Sequence, residues 1–249
     1  MKMKEITIEI AGRTVAVNAM NESTCEFLRG YQWENTADFS VEISPEDIIL
    51  EREKATRENE IEGLPARSYT DAYLELTAVQ RKITERLFDY DTLLFHGSTV
   101  AVDDQAYLFT AKSGTGKSTH TGLWRELLGD RAIMVNDDKP FLEITKTGVI
   151  ACGSPWNGKH KLGNNIQVPL KAICILERGE ENRIQKIEPQ EALHMLIQQS
   201  SRPMDPRKMP KYMELLDRLA ASVQFYKMEC TMDPRAAEIA YTAMSQGAP

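Results

Sequence analysis

A chain of 249 residues is long enough for one large α/β domain or for a core with a smaller attached part, and 42% apolar with 27% charged residues suits a soluble globular protein. Its 30 basic and 37 acidic side chains leave a net charge of −7, which argues against nucleic acid as the main partner, because a phosphate backbone calls for a basic face. The four cysteines (Cys25, Cys152, Cys174, Cys230) lie far apart with no paired spacing, so neither a zinc site nor a disulfide framework is expected, and reduced thiols in the cytoplasm are the simple reading.

The opening MKMKEITIEI has no continuous apolar stretch, and no run approaches the length of a membrane span, so it reads as a first strand and no membrane is expected. Residues 4 to 18 alternate apolar and polar on both sides of Ala11-Gly12, which predicts a β-hairpin. Residues 19 to 68 are polar and broken by Gly30, Pro45, Gly63 and Pro65, with FSVEI and DIILERE as candidate strands and KATRENEIEG as a charged turn or exposed edge. From Tyr69 to Phe88 apolar residues recur at helical spacing, which predicts a helix packed on a core.

Three short β-rich runs follow, LLFHGS, TVAVDD and QAYLFTA, and then a helix from Lys117 to Leu128 that ends near Gly129. RAIMVNDDKP reads as an apolar strand closing in two aspartates, PFLEITKTGVIACGS as a hairpin, and WNGKHKLGNN as a polar loop. LKAICILE, NRIQKIE and QFYKMEC read as strands. EALHMLIQQS and residues 211–222 and 234–245 read as helices, with Pro203, Pro206 and Pro210 interrupting the chain between the first two.

The informative stretch is AKSGTGKS, Ala111 to Ser118, between a buried strand and a helix start. It fits the phosphate-loop pattern with alanine in place of the first glycine. Gly114 and Gly116 let backbone N–H groups turn inward toward an anion, and the following helix aims its positive end at the same point. Ser113, Gly114, Thr115, Gly116, Lys117, Ser118 and Thr119 are therefore the candidate nucleotide-binding residues. Lys117 supplies a mobile charge for the outer phosphates, and the Ser118 hydroxyl is a hard oxygen ligand for Mg²⁺. About twenty positions on, Asp137 and Asp138 end an apolar strand, the usual place for a carboxylate that holds Mg²⁺ at the edge of a parallel sheet. A second carboxylate beside it can accept a proton from a substrate hydroxyl.

The run FHGSTVAVDDQAYLFTAKSGTGKS, followed by GDRAIMVNDD, resembles the catalytic core of HPr serine kinase/phosphorylase and, more distantly, ATP-dependent phosphoenolpyruvate carboxykinase. Within that superfamily the chain is most similar to small stand-alone HPr-kinase-like bacterial proteins with SGTGKSTH, DKP and PWNGK segments. The resemblance covers residues 92 to 140. It implies an α/β, PEP carboxykinase-like (HPr kinase-like) P-loop domain over 69–249, with a mixed central sheet flanked by helices. Residues 1–68 form a small β-rich N-terminal portion, separate or part of the same domain. The implied reaction is transfer of the γ-phosphoryl group of ATP, or another nucleoside triphosphate, to a hydroxyl of a peptide, protein or small molecule, with Mg²⁺.

By the same resemblance His96 matches the histidine of a His-Gly pair near the aspartates, and Asp137, Asp138, His96 and Lys117 are the catalytic candidates, with Ser118 and Asp138 as metal ligands. The sequence does not order the base and metal roles of the two aspartates. His120 and Thr121 stand where the HPr kinases carry an acidic residue, so the reverse reaction is not carried over, and neither is HPr as the acceptor. Lys159, His160 and Lys161 are either phosphate partners or a solvated loop, Arg202 and Arg207 either transition-state cations or structural, and His194 structural. A carboxykinase-type enzyme and a non-catalytic nucleotide-binding regulator are the rival functions, and homo-oligomerisation is left open.

Overall fold

The computed structural model describes residues 3–61, 63, 65 and 67–246; residues 1 and 2 of the expected first strand and 62 of the expected charged turn lie outside them. The chain divides into two compact units, Met1–Leu87 and Phe88–Pro249.

In the first unit, β1 (Lys4–Ile10) and β2 (Arg13–Ala19) form the expected antiparallel hairpin. The short helix α1 (Glu22–Leu28) follows, and β3 (Phe39–Glu42) then pairs parallel with β2. Buried Glu75 accepts the Asn21 backbone N–H ahead of α1 at 3.1 Å. DIILERE is not a strand, and KATRENEIEG is helical up to Ile61: both run in one helix, α2 (Pro45–Ile61), with Gly63 in a turn beyond it. Its start is coded locally, with proline in the first turn and the Asp47 carboxylate accepting the Ser44 backbone N–H at 3.0 Å. The buried face of α2 is mostly polar, Asp47 and Glu51 with Ile48, so it lacks the apolar period that marks a helix in sequence. Those carboxylates meet Arg81 on α3 (Asp71–Leu87), which buries Leu74, Ala78, Val79 and Ile83.

The second unit is built on a mixed sheet. Its strands are β4 (Thr92–Leu94), β5 (Ser98–Val102), β6 (Gln105–Thr110), β7 (Ala132–Asn136), β8 (Phe141–Ile144), β9 (Val149–Cys152), β10 (Gln167–Arg178), β11 (Arg183–Ile187) and β12 (Gln224–Cys230). Helix α4 (Lys117–Leu128) leaves the end of β6, while α5 (Pro189–Gln199), α6 (Met209–Ser222) and α7 (Arg235–Gln246) come later. Pro210 sits in the first turn of α6 and does not interrupt it, because a missing N–H is harmless there.

The strand order is β4-β8-β9-β10-β6-β5-β7, with β12 and then β11 branching from β10. The first three residues of β10 pair antiparallel with β9, and the rest of the strand lies parallel to both β6 and β12. β7, the strand that ends in the aspartates, does not pair with β6. β5 stands between them, antiparallel to both, so β6 and β7 run the same way one strand apart.

Alternation along β6 explains the layering. Ala106 and Leu108 face a core with Leu196 of α5 and Tyr212, Leu215, Leu216 and Leu219 of α6. Tyr107 and Phe109 face Trp124 of α4 and Ala236, Ala237 and Ala240 of α7. Helices thus cover both faces, and the loop after β6 emerges at the sheet edge where α4 begins. Among the described residues no helix is long and apolar enough to cross a membrane.

Candidate active site

After β6 the chain makes a tight loop whose Thr115 N–H and hydroxyl both reach the Lys112 carbonyl, at 3.3 and 2.8 Å. Gly114 and Gly116 have φ of +75° and +118°, values that side-chain-bearing residues rarely adopt. Gly116 immediately precedes α4, so the free N–H groups of its first turn face the loop. Lys117 is half-buried and donates to the Ala111 carbonyl at 3.3 Å. Burial lowers its pKa, opposed by the nearby Asp138 and Asp137 carboxylates.

Across the cavity, fully buried Asn136 ties together the turn after β7. Its Oδ1 accepts the backbone N–H groups of Asp138 and Lys139 at 2.8 and 2.6 Å. Its Nδ2 donates to the Ser154 carbonyl at 3.0 Å and to Asn157 Oδ1 at 2.8 Å, which brings the 154–157 segment under the aspartates.

The two carboxylates have different surroundings. Asp137 is 5% exposed and accepts the Ser98 hydroxyl at 2.7 Å; Ser98 also contacts the Thr121 hydroxyl at 2.8 Å, and Thr121 donates to the Ser118 carbonyl at 3.3 Å. Asp138, about a third exposed, lies 3.3 Å from His96 Nε2. Burial raises the Asp138 pKa, but the His96 hydrogen bond, with Lys139 and Lys117, outweighs it and holds the carboxyl below its usual value. His96 is anchored through its own backbone, its N–H to Gln199 and its carbonyl to the Thr110 hydroxyl. Gly97 beside it is closely packed: a Cβ there would come within 2.9 Å of Leu108 Cδ2 and 3.0 Å of the Phe109 carbonyl, so a side chain would require those neighbours to shift.

His96, Ser113, Gly114, Gly116, Lys117, Ser118, Thr119, Asp137 and Asp138 line one cavity of about 410 Å³. Thr115 lies on an adjoining cavity instead. Lys159 and His160 reach the first cavity with Gly158, whereas Lys161 faces a different hollow outside β7. Neither Arg202 nor Arg207 lines it, and Arg207 is paired with Asp205. His194 is exposed on α5 and does not line the cavity. Two contributors escaped sequence reasoning: Asn136, visible only as the residue before the aspartates, and Arg178 at the end of β10, which donates to the Gly114 carbonyl at 2.6 Å.

The residues fit a metal-nucleotide to this extent: the loop glycines leave open space, and Lys117, Ser118 and two carboxylates converge on it. Among the described residues no group of three or more His, Cys, Asp or Glu could hold a metal, so an ion here would complete its shell with phosphate oxygens.

A protein-family model described as SynChlorMet cassette protein ScmC matches residues 64–237. The HPr(Ser) kinase/phosphatase from Coxiella burnetii is similar in structure at a TM-score of 0.28 and 16% identity, covering 50% of this chain and 88% of that one. No curated protein matches the chain.

Proposed function

The chain belongs to the ScmC family of SynChlorMet cassette proteins, and for this member we propose a nucleotide-dependent kinase that moves the γ-phosphoryl group of ATP, or another nucleoside triphosphate, to a hydroxyl, with Mg²⁺. The reading gives the second unit the PEP carboxykinase-like, HPr kinase-like P-loop fold. The observation that carries it is the His96–Asp138 pair facing Lys117 and Ser118 across one cavity. A glycine loop alone argues for phosphate; a hydrogen-bonded carboxylate opposite it argues for chemistry on that phosphate.

When bound, the metal-nucleotide supplies the phosphoryl group and neutralises its charge. The chain's residues would do the rest. Loop N–H groups and Lys117 hold the phosphates. The Ser118 hydroxyl and Asp137, which line the same cavity, would be the hard oxygen donors for the metal, with Asp137 oriented by Ser98. Asp138, kept ionised by His96, would take the proton of the acceptor hydroxyl as the acceptor oxygen bonds to the γ-phosphorus and the bridging O–P bond breaks to release the nucleoside diphosphate. Lys159 and His160 border the side from which that acceptor, a peptide or a small molecule, enters.

The test is transfer of label from γ-labelled ATP or GTP with Mg²⁺ to serine-containing peptides and small alcohols. The kinase reading expects transfer by the wild type; tight nucleotide binding with no transfer and no hydrolysis would point to a regulator instead. Lys117→Ala should weaken triphosphate binding at least about tenfold, measured by calorimetry, with the melting temperature of the free protein unchanged.

A further inference from the structure

A second cavity of about 480 Å³ adjoins the first and shares Gly114, Gly116 and Thr119 with it. The two differ in chemistry. The first is lined by Lys117, His96 and carboxylates, whereas the second has Leu123, Cys230 and Met232 in its wall, with His120, Arg178 and Thr231 as polar groups. Its size is in the range that holds a small organic ligand, and its mix of apolar wall and few polar groups is what such ligands need.

Two side chains in it have incomplete surroundings. Met232 is 79% exposed, a large apolar side chain open to solvent at the cavity. His120 is 3% exposed, packed against Phe109 and Trp124, and its Nε2 accepts the Trp124 indole N–H at 3.2 Å. Because Nε2 accepts that indole N–H, the proton of the neutral ring sits on Nδ1. Nδ1 has no partner among the described residues. A buried donor without an acceptor is destabilising, and an acceptor brought by a ligand would relieve that cost. Arg178 links the cavities, since its Nη2 donates to the Gly114 carbonyl.

We propose that this second cavity binds the base and sugar of the nucleoside triphosphate whose phosphates occupy the first, with Leu123 and Met232 against the base and the His120 N–H as a donor to its edge. The assignment rests on the phosphate reading of the glycine loop. It makes His120 and Arg178 recognition residues of this chain, and it sets the nucleotide on one side of the loop, leaving the side bordered by Lys159 and His160 for the acceptor.

Cys230 gives a direct probe, because it lines the second cavity and is partly exposed while the other three cysteines are buried. Its alkylation by N-ethylmaleimide is timed in wild-type protein with no ligand, with Mg²⁺ and ATP or GTP, and with Mg²⁺ and inorganic tripolyphosphate. At about ten times the dissociation constant, one of the nucleotides should slow labelling roughly tenfold, while tripolyphosphate should leave it within about twofold. Leu123→Trp, which narrows the cavity, should raise the nucleotide dissociation constant at least about tenfold and that of tripolyphosphate by less than about twofold, the latter also showing that the variant is folded. Equal protection by nucleotide and tripolyphosphate, or equal weakening of both by Leu123→Trp, overturns the nucleoside site alone. Failure of tripolyphosphate to bind the wild type at all, read by thermal shift, removes the phosphate reading and this proposal with it.

Discussion

The interface between α2 and α3 and the turn after β7 both draw two carboxylates out of bulk water near a basic side chain, but they leave those carboxylates in different states. Between the helices, Asp47 and Glu51 are taken up by neighbours: Arg81 reaches both, Lys82 lies 2.6 Å from Asp47, and the Ser44 N–H takes another lone pair. At the turn, Asp137 has one oxygen tied to Ser98 and Asp138 has one beside His96, and both border an open cavity. A buried acid saturated with cations marks a clamp that holds two elements together. An acid held in place beside a cavity yet incompletely satisfied marks a site poised for a ligand.

The strongest break in this contrast is Asp138→Asn. It keeps the size and hydrogen bonding of the side chain but removes the proton acceptor, so turnover should fall about 10²- to 10⁴-fold with nucleotide affinity nearly unchanged. Asp137→Asn should instead weaken metal-nucleotide binding as well. Identical losses of turnover and affinity in the two variants would refute the division of roles. At the clamp the same kind of change should alter stability and leave binding alone. Arg81→Met removes the cation shared by both acids and should destabilise the first unit by about 3 kcal/mol, the low end for opening a buried pair because Lys82 still reaches Asp47 and Lys54 still lies near Glu51. Faster amide exchange in α2 and α3 is the readout, with nucleotide affinity as the control.

Asn136→Ala lies between these cases. It removes the acceptor for two backbone N–H groups and the donors that tether Ser154 and Asn157, so it should cost about 2 kcal/mol in urea unfolding. Turnover should drop more than nucleotide affinity as the Asp138 turn loosens; an equal drop in both would make Asn136 purely structural.

The smallest effect expected is the clamp's share of the pH dependence of stability. Burial raises the Asp47 pKa, but Lys82, the Ser44 N–H and Arg81 hold it down at about 2. A carboxyl whose folded pKa lies below its unfolded value of about 4 adds stability that is present above that value and lost as pH falls through the folded one. Wild-type stability should therefore decline from about pH 4 to about pH 2 partly through this group, and Asp47→Asn should flatten that share of the decline.

What the sequence by itself determined about this protein was whatever a local pattern encodes. The alternation around Ala11-Gly12 specified the first hairpin, and the glycines of AKSGTGKS with the following helix specified an anion-sized loop at a helix start. The apolar stripe of residues 73–88 specified α3, although the β1-β2-β3 unit it belongs to is far off in sequence. α2 went unread because its partner face is ionic, and an ionic face carries no apolar period, even though the Ser-Pro-Glu-Asp start was there to see. Only the tertiary structure decided that β5 separates β6 from β7, that Asp137 and Asp138 belong to different hydrogen-bond sets, and that Asn136 and Arg178 serve the site. Each of these depends on residues remote in the chain, Ser98 with Asp137 across 39 positions and Arg178 with Gly114 across 64, and no periodicity or propensity within a window reports such a pairing.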